Sequence, residues 1–156
     1  MPRRSSRISR FLRNLAFGFR RELRPYERDV LEAAIGLASA EDARCLRLQL
    51  EARERVQRWN GDRMLMFGFP PGDDLDLIAS RAGNHCFARV KLRGGDATVM
   101  VKLMTHRGRL STLEFSKPPR AMLSAGHQIL SAKRADGDTG FAEHIDAEDH
   151  GNVGDA

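Results

Sequence analysis

Between His85 and Phe115 apolar and polar residues alternate almost without a break, and glycines punctuate the run at Gly94-Gly95 and Gly108. Alternation with a period of two sends successive side chains to opposite faces of a strand, so this stretch predicts strands and not a helix. Gly94-Gly95 reads as a two-residue hairpin connection. It predicts Leu92 opposite Ala97, Val90 opposite Val99, Ala88 opposite Val101 and Cys86 opposite Leu103, all on one apolar face. The other face then pairs Lys91 with Thr98, Arg89 with Met100, Phe87 with Lys102 and His85 with Met104. A slip of one residue would set every apolar side chain against a polar one. His106-Arg107-Gly108 reads as a three-residue loop with glycine in the left-handed position, which places Val101 opposite Leu113 and Val99 opposite Phe115.

The rest of the chain is arranged around these hairpins. Pro25 suits the first turn of a helix carrying Tyr26, Val30, Leu31, Ala34, Ile35 and Leu37 on its apolar side. Ser39, with Asp42 three residues on, predicts the cap of a further helix. That helix is expected to run to about Trp59, with a stripe of Cys45, Leu48, Ala52, Val56 and Trp59 and with Leu46 and Leu50 beside it. Asn60-Gly61-Asp62 is read as its C-terminal stop. Met64 to Phe69 reads as a strand with Leu65, Phe67 and Phe69 on one face, and Pro70 to Asp74 as a loop. Leu75 to Ile78 fits either a strand or a helical turn. Pro118-Pro119 closes the last strand, and Ala121 to Leu130 is compatible with a short helix.

Charge divides the chain more sharply than its net value of +5 implies. Residues 1–30 hold nine arginines against three acidic residues, whereas 135–156 hold seven acidic residues and no Lys or Arg. Residues 1–134 therefore carry 26 basic against 14 acidic groups. This predicts three parts: a basic amphipathic arm over 1–21, a single domain over 22–130, and an acidic disordered tail over 131–156. Within the arm, Ile8, Phe11, Leu12, Leu15 and Phe19 recur at helical spacing over residues 6–21. Arg10, Arg13 and Arg20 lie towards the other side. Arginine outnumbers lysine 22 to 4, which fits a GC-rich, bacterial coding sequence or a preference for phosphate recognition.

Two patches resemble a known pattern. One is Leu46-Arg47-Leu48-Gln49-Leu50, followed by Val56, Asn60-Gly61, Phe67 and Pro70. The other is Arg107-Gly108-Arg109-Leu110-Ser111-Thr112-Leu113-Glu114-Phe115. Together they resemble a family of small uncharacterised bacterial α+β proteins with a Leu-Arg-x-Gln-Leu segment early and Gly-Arg-Leu-x-x-Leu-Glu late. This chain has Asn60 where that pattern has Thr, and His106-Arg107 ahead of the glycine. It lacks the glycine-and-aromatic cluster after Gly61. The resemblance implies a helix-then-meander topology and a bacterial source, and it transfers no activity.

No catalytic constellation emerges from the residues. His85 and Cys86 are adjacent on a strand and therefore face apart, which defeats a nucleophile–base pair. Cys45 and Cys86 form no CxxC, and the histidines have no metal-ligand spacing. Gly94-Gly95 precedes a strand, so it offers no helix N-terminus to a phosphate. Neither a Walker motif nor a dinucleotide fingerprint is present. The sequence thus predicts no catalytic residue, no cofactor and no metal.

What remains is surface chemistry. Arg3, Arg4, Arg7, Arg10, Arg13, Arg20 and Arg21 of the arm, with Arg89, Lys91 and Lys102 of the outer sheet face, are candidate contacts for an anion or nucleic acid. The expected fold is α+β: two or three N-terminal helices packed on an antiparallel meander of four or five strands. Cys86, Ala88, Val90, Val99, Val101, Leu103, Leu113 and Phe115 should face Val30, Leu48, Ala52 and Val56. The expected function is a non-enzymatic protein-interaction module of accessory or immunity type in the bacterial cytoplasm. The alternatives are nucleic-acid binding through the arginine arm, and association with anionic membrane through residues 6–21. No apolar run reaches the roughly 18 residues that a membrane span needs.

Overall fold

The structure is a computed structural model and describes residues 22–135. Three helices, α1 (Pro25–Ile35), α2 (Ala40–Ala52) and α3 (Arg120–Leu123), accompany six strands. These are β1 (Arg55–Trp59), β2 (Met64–Gly68), β3 (Asn84–Gly94), β4 (Ala97–His106), β5 (Arg109–Phe115) and β6 (Gln128–Arg134). All pairings are antiparallel, in the order β1-β2-β5-β4-β3-β6. The class is α+β as expected, but the sheet has six strands and not four or five. The meander β3-β4-β5 forms its centre. The β1–β2 hairpin adds to β5, and β6 adds to the free side of β3.

Both long helices begin where their caps predict. Pro25 opens α1, and Glu27 reaches back so that its Oε2 accepts from the Arg24 backbone N–H at 2.7 Å. The Ser39 hydroxyl oxygen accepts from the Asp42 backbone N–H at 3.1 Å. The second helix ends earlier than expected, at Ala52 and not near Trp59. Asn60, Gly61 and Asp62 are not its stop. All three have positive φ (52°, 61° and 68°) and reverse the chain between two strands. Asn, Gly and Asp tolerate this left-handed conformation best, so the same triplet serves a hairpin as readily as a helix end. Val56 and Trp59 accordingly lie on a strand. Leu48, expected in the core stripe, is 38% exposed, and the buried side of α2 is Ala43, Cys45, Leu46, Gln49 and Leu50.

Both central hairpins keep their predicted faces at most positions, but each is shifted by two residues. The first loop is Gly95-Asp96, with Gly94 paired to Ala97, Leu92 to Val99 and Val90 to Val101. Gly94 is a strand residue for a steric reason: a Cβ there would lie 2.0 Å from the Met122 carbonyl oxygen of α3. The second loop is Arg107-Gly108, both with positive φ, which pairs Val101 with Phe115 and Leu103 with Leu113.

A bulge between Cys86 and Ala88 exchanges two further expectations. Phe87 turns into the main core at 0% exposure, with the Arg134 guanidinium 3.7 Å from its ring centre. Cys86 turns to the opposite face and packs with Met104 and Ala135. The expected short helix over 121–130 is in fact α3 followed by β6, and β6 includes Ser131 to Arg134, which composition assigns to the acidic tail. The arm over 1–21 and residues 136–156 lie outside the described residues.

The core sits between the helices and the inward face of the sheet. Val30, Leu31, Ala34, Ile35 and Leu46 pack there against Leu65, Val90, Leu92, Val99, Val101, Leu103, Leu113 and Phe115. Tyr26 meets the Phe115 ring edge-on, with centroids 6.0 Å apart. This is the one-sided burial that a helix-on-sheet layer produces.

Candidate interaction surface

The outward face of the sheet gathers the chemistry that the core does not use. One row of directly paired residues crosses all six strands: Lys133, Arg89, Lys102, Glu114, Met64 and Trp59. A second row runs Cys86, Met104, Thr112, Met66 and Gln57. Ser131, Lys91 and Met100 make a third, and Gln128, Arg93 and Thr98 a fourth. The β6-β3-β4 half is therefore cationic. The β2-β1 half carries Met64, Met66 and Trp59 beside Gln57 and the Arg55–Gly68 pair, and four of the six methionines of the chain lie on this face.

Like charges placed directly across a sheet repel. In the first row Lys133, Arg89 and Lys102 are in register, and Glu114 follows as the next residue. Arg89 and Lys102 are both engaged in polar or electrostatic contacts. Burial pushes the Cys86 thiol upward, against the opposing pull of Lys102 and Arg89, so Cys86 stays a neutral thiol at ordinary pH. Its Sγ lies 3.8 Å from the Ala88 carbonyl oxygen, and Cys45 and Cys86 are both free.

Exposure is unequal across the face. Trp59 is 51% and Met66 41% exposed, the two most exposed large apolar residues of the described sheet. They are diagonal neighbours, since Trp59 pairs with Met64 and Gln57 with Met66. Lys102 and Met104 are each only 5% exposed.

Of the predicted contacts, Arg89, Lys91 and Lys102 do share this face; Phe87, expected on the same face, lies in the core instead. Arg93 and Lys133 join them. Arg93 belongs to the same alternation as Arg89 and Lys91, so it could have been read from the sequence. Lys133 could not, because its strand was not recognised. Arg3, Arg4, Arg7, Arg10, Arg13, Arg20 and Arg21 lie outside the described residues.

A groove between α1 and α2 has a volume of about 250 Å³ and is lined by Leu23, Leu31 and Leu50 under a rim of Arg28, Glu32, Arg47, Glu51 and Arg53. It is below the roughly 300–1,000 Å³ of ordinary ligand pockets. Its rim is of mixed sign, with Arg47 and Glu32 3.7 Å apart. Among the described residues no three or more His, Cys, Asp or Glu side chains cluster as metal ligands. No described helix is long and apolar enough to cross a membrane. A scan of protein-family models, a search of curated proteins and a search of solved structures each found no match to this chain.

Proposed function

We propose that the protein is a non-enzymatic interaction module of the bacterial cytoplasm, of accessory or immunity type, which docks a protein partner at the Trp59–Met66 corner of its sheet. The observation that carries this reading is the exposed Trp59 beside Met66 at the end of a row whose other half is cationic. Exposed aromatic side chains next to apolar neighbours are characteristic anchors of protein interfaces. Cations along one flank favour a partner with acidic residues around an apolar group and speed its approach.

A second reading, nucleic-acid binding, is favoured by the exposed cations Lys91, Arg93 and Lys133 of the β6-β3 side of this face. It is weaker because Phe87, the aromatic that would stack a base on that half, is buried in the core.

Trp59 is the single tryptophan of the chain, so its fluorescence reports on the corner directly. The test is quantitative capture from lysate of the source organism by the full chain and by Trp59→Ser. The expected result is one stoichiometric protein that survives nuclease, is lost with Trp59→Ser, and blue-shifts Trp59 emission when purified and added back. Retention of nucleic acid alone, with an affinity that falls steeply with salt, would replace this reading by the second. Capture that ignores Trp59→Ser would overturn it.

A further inference from the structure

The groove between α1 and α2 carries a charge pattern that the surface of the sheet does not use. The chain runs toward the α1–α2 connection in α1 and away from it in α2. Glu32 and Arg47 meet across the groove at 3.7 Å. Arg28 stands four residues before Glu32, and Glu51 four residues after Arg47. Residues four apart share a helix face, so Arg28 and Glu51 form the next level of the groove, about one 5.4 Å turn further from the connection. Both line it and both are exposed. Their signs are again opposite, yet they make no ion pair with each other. Among the described residues neither side chain has a hydrogen bond or an ion pair. The floor beneath them is Leu23, Leu31 and Leu50, all buried.

A cation and an anion held apart over an apolar floor are complementary to a small zwitterion with an apolar side chain. We infer that the groove binds a free α-amino acid of aliphatic side chain. Its carboxylate meets Arg28, its ammonium meets Glu51, and its side chain lies over the three leucines. The planar guanidinium fork matches a carboxylate, and an ammonium has three donors for the Glu51 oxygens. The volume of about 250 Å³ is too small for a drug-sized ligand and suits a molecule of this size.

Other occupants leave one charge unanswered. An aliphatic acid or a phosphate would set an anion beside Glu51, and an aliphatic amine would set a cation beside Arg28. Arg53 does not replace Arg28, because its guanidinium already donates to the Leu50 carbonyl. The helices lie on the inward face of the sheet, opposite the Trp59–Met66 corner, so the inference does not depend on the partner proposed above.

Isothermal titration of the full chain tests it, with leucine, methionine, glycine, N-acetyl-leucine and leucinamide as probes. Leucine and methionine should bind at one site. Glycine lacks the side chain, N-acetyl-leucine the ammonium and leucinamide the carboxylate, so each should bind about tenfold more weakly or worse. Glu51→Gln should weaken leucine about tenfold and leave N-acetyl-leucine unchanged. Arg28→Gln should weaken leucine to the same degree and leave leucinamide unchanged. Both positions are exposed and unpaired among the described residues, so both variants should melt with the unaltered chain. Where a variant unfolds, the probe series in the unaltered chain decides. Absence of saturable binding by leucine and methionine would overturn the inference, as would glycine binding as tightly as leucine. N-acetyl-leucine binding as tightly as leucine assigns the groove to an aliphatic anion, leucinamide doing so assigns it to an aliphatic cation, and either result overturns it. Leucine binding that ignores both folded variants overturns it equally.

Discussion

Gln49 of α2 accepts a hydrogen bond from the Leu110 backbone N–H of β5 at 2.7 Å, while its amide nitrogen donates to the carbonyls of Gly108 at 3.0 Å and Asp76 at 2.8 Å. This fully buried side chain joins the helix, the loop before β3 and the β4–β5 turn. It also joins the Leu46–Leu50 and Arg107–Phe115 patches, which are far apart in sequence. Gln49→Leu preserves volume but strands the buried Leu110 N–H and removes a donor from the Asp76 carbonyl, while the Gly108 carbonyl keeps the Ile78 N–H at 3.1 Å. A loss of about 1–3 kcal/mol is expected in urea unfolding. Gln49→Glu should be as harmful, because a carboxylate cannot donate to two carbonyls.

Glu27 and Arg58 make the most buried ion pair of the described structure, with contacts of 2.9 and 2.6 Å, and Glu27 also holds the α1 N-terminus through Arg24. Removing one partner leaves a desolvated charge, so Arg58→Met should cost about 3–5 kcal/mol. Glu27→Gln combined with Arg58→Met should recover a good part of that loss, because no unpaired charge remains. The double-mutant cycle in chemical denaturation checks this, and the coupling should change little between low and moderate salt. Strict additivity would show that the two groups are not coupled.

The central strands were legible because apolar alternation there is long and the alternative register by one residue is prohibitive. A register shifted by two keeps the faces, and nothing in the pattern around Gly94-Gly95 distinguishes the two. The deciding contact is the Met122 carbonyl over Gly94, which is remote in sequence. Phe87 was misplaced because a bulge inserts one residue without a sequence mark at that point. The end of α2 was overrun because Val56 and Trp59 fit a helical stripe as well as a strand, and Asn60-Gly61 fits a cap as well as a hairpin. Strand β6 escaped because an edge strand with one half-buried side needs few apolar residues, here Ile129 and Ala132. The cationic half of the outward face was partly visible in Arg89, Lys91 and Lys102. The Trp59–Met66 corner is not visible there, since the spacing of Val56 and Trp59 fits a helical stripe equally well.

The contact over Gly94 distinguishes it from its neighbour. Gly94→Ala forces a Cβ onto the Met122 carbonyl and the Leu123 side chain, so α3 must lift away and β6 loses its approach. Gly95→Ala meets no atom within 4 Å and carries only the strain of φ +58°, about 1 kcal/mol. Thermal unfolding should therefore rank Gly94→Ala well below Gly95→Ala. Amide exchange in Gln128–Arg134 should accelerate in the first variant alone.

Alkali should loosen the molecule through two buried groups. Burial raises both the Cys86 thiol and the Tyr26 phenol, against the favourable pull of Lys102 and Arg89 on the first and of the Arg24 hydrogen bond on the second. An acid whose folded pKa is raised favours folding while it is protonated in both states. That contribution is whole below the unfolded pKa and is lost as pH rises through the folded one. The loss therefore begins near the ordinary thiol range, about pH 8.5, and deepens past the phenol's, about pH 10. The denaturation midpoint should be level from pH 7 to 8 and fall above it. Cys86→Ala should remove the first part of the fall, and Tyr26→Phe the second. Tyr26→Phe should also cost about 1 kcal/mol at pH 7, because Arg24 loses an acceptor. A thiol reagent at pH 7 should label Cys86 only as fast as the sheet opens, so a rate matching that of a free thiol would contradict its burial.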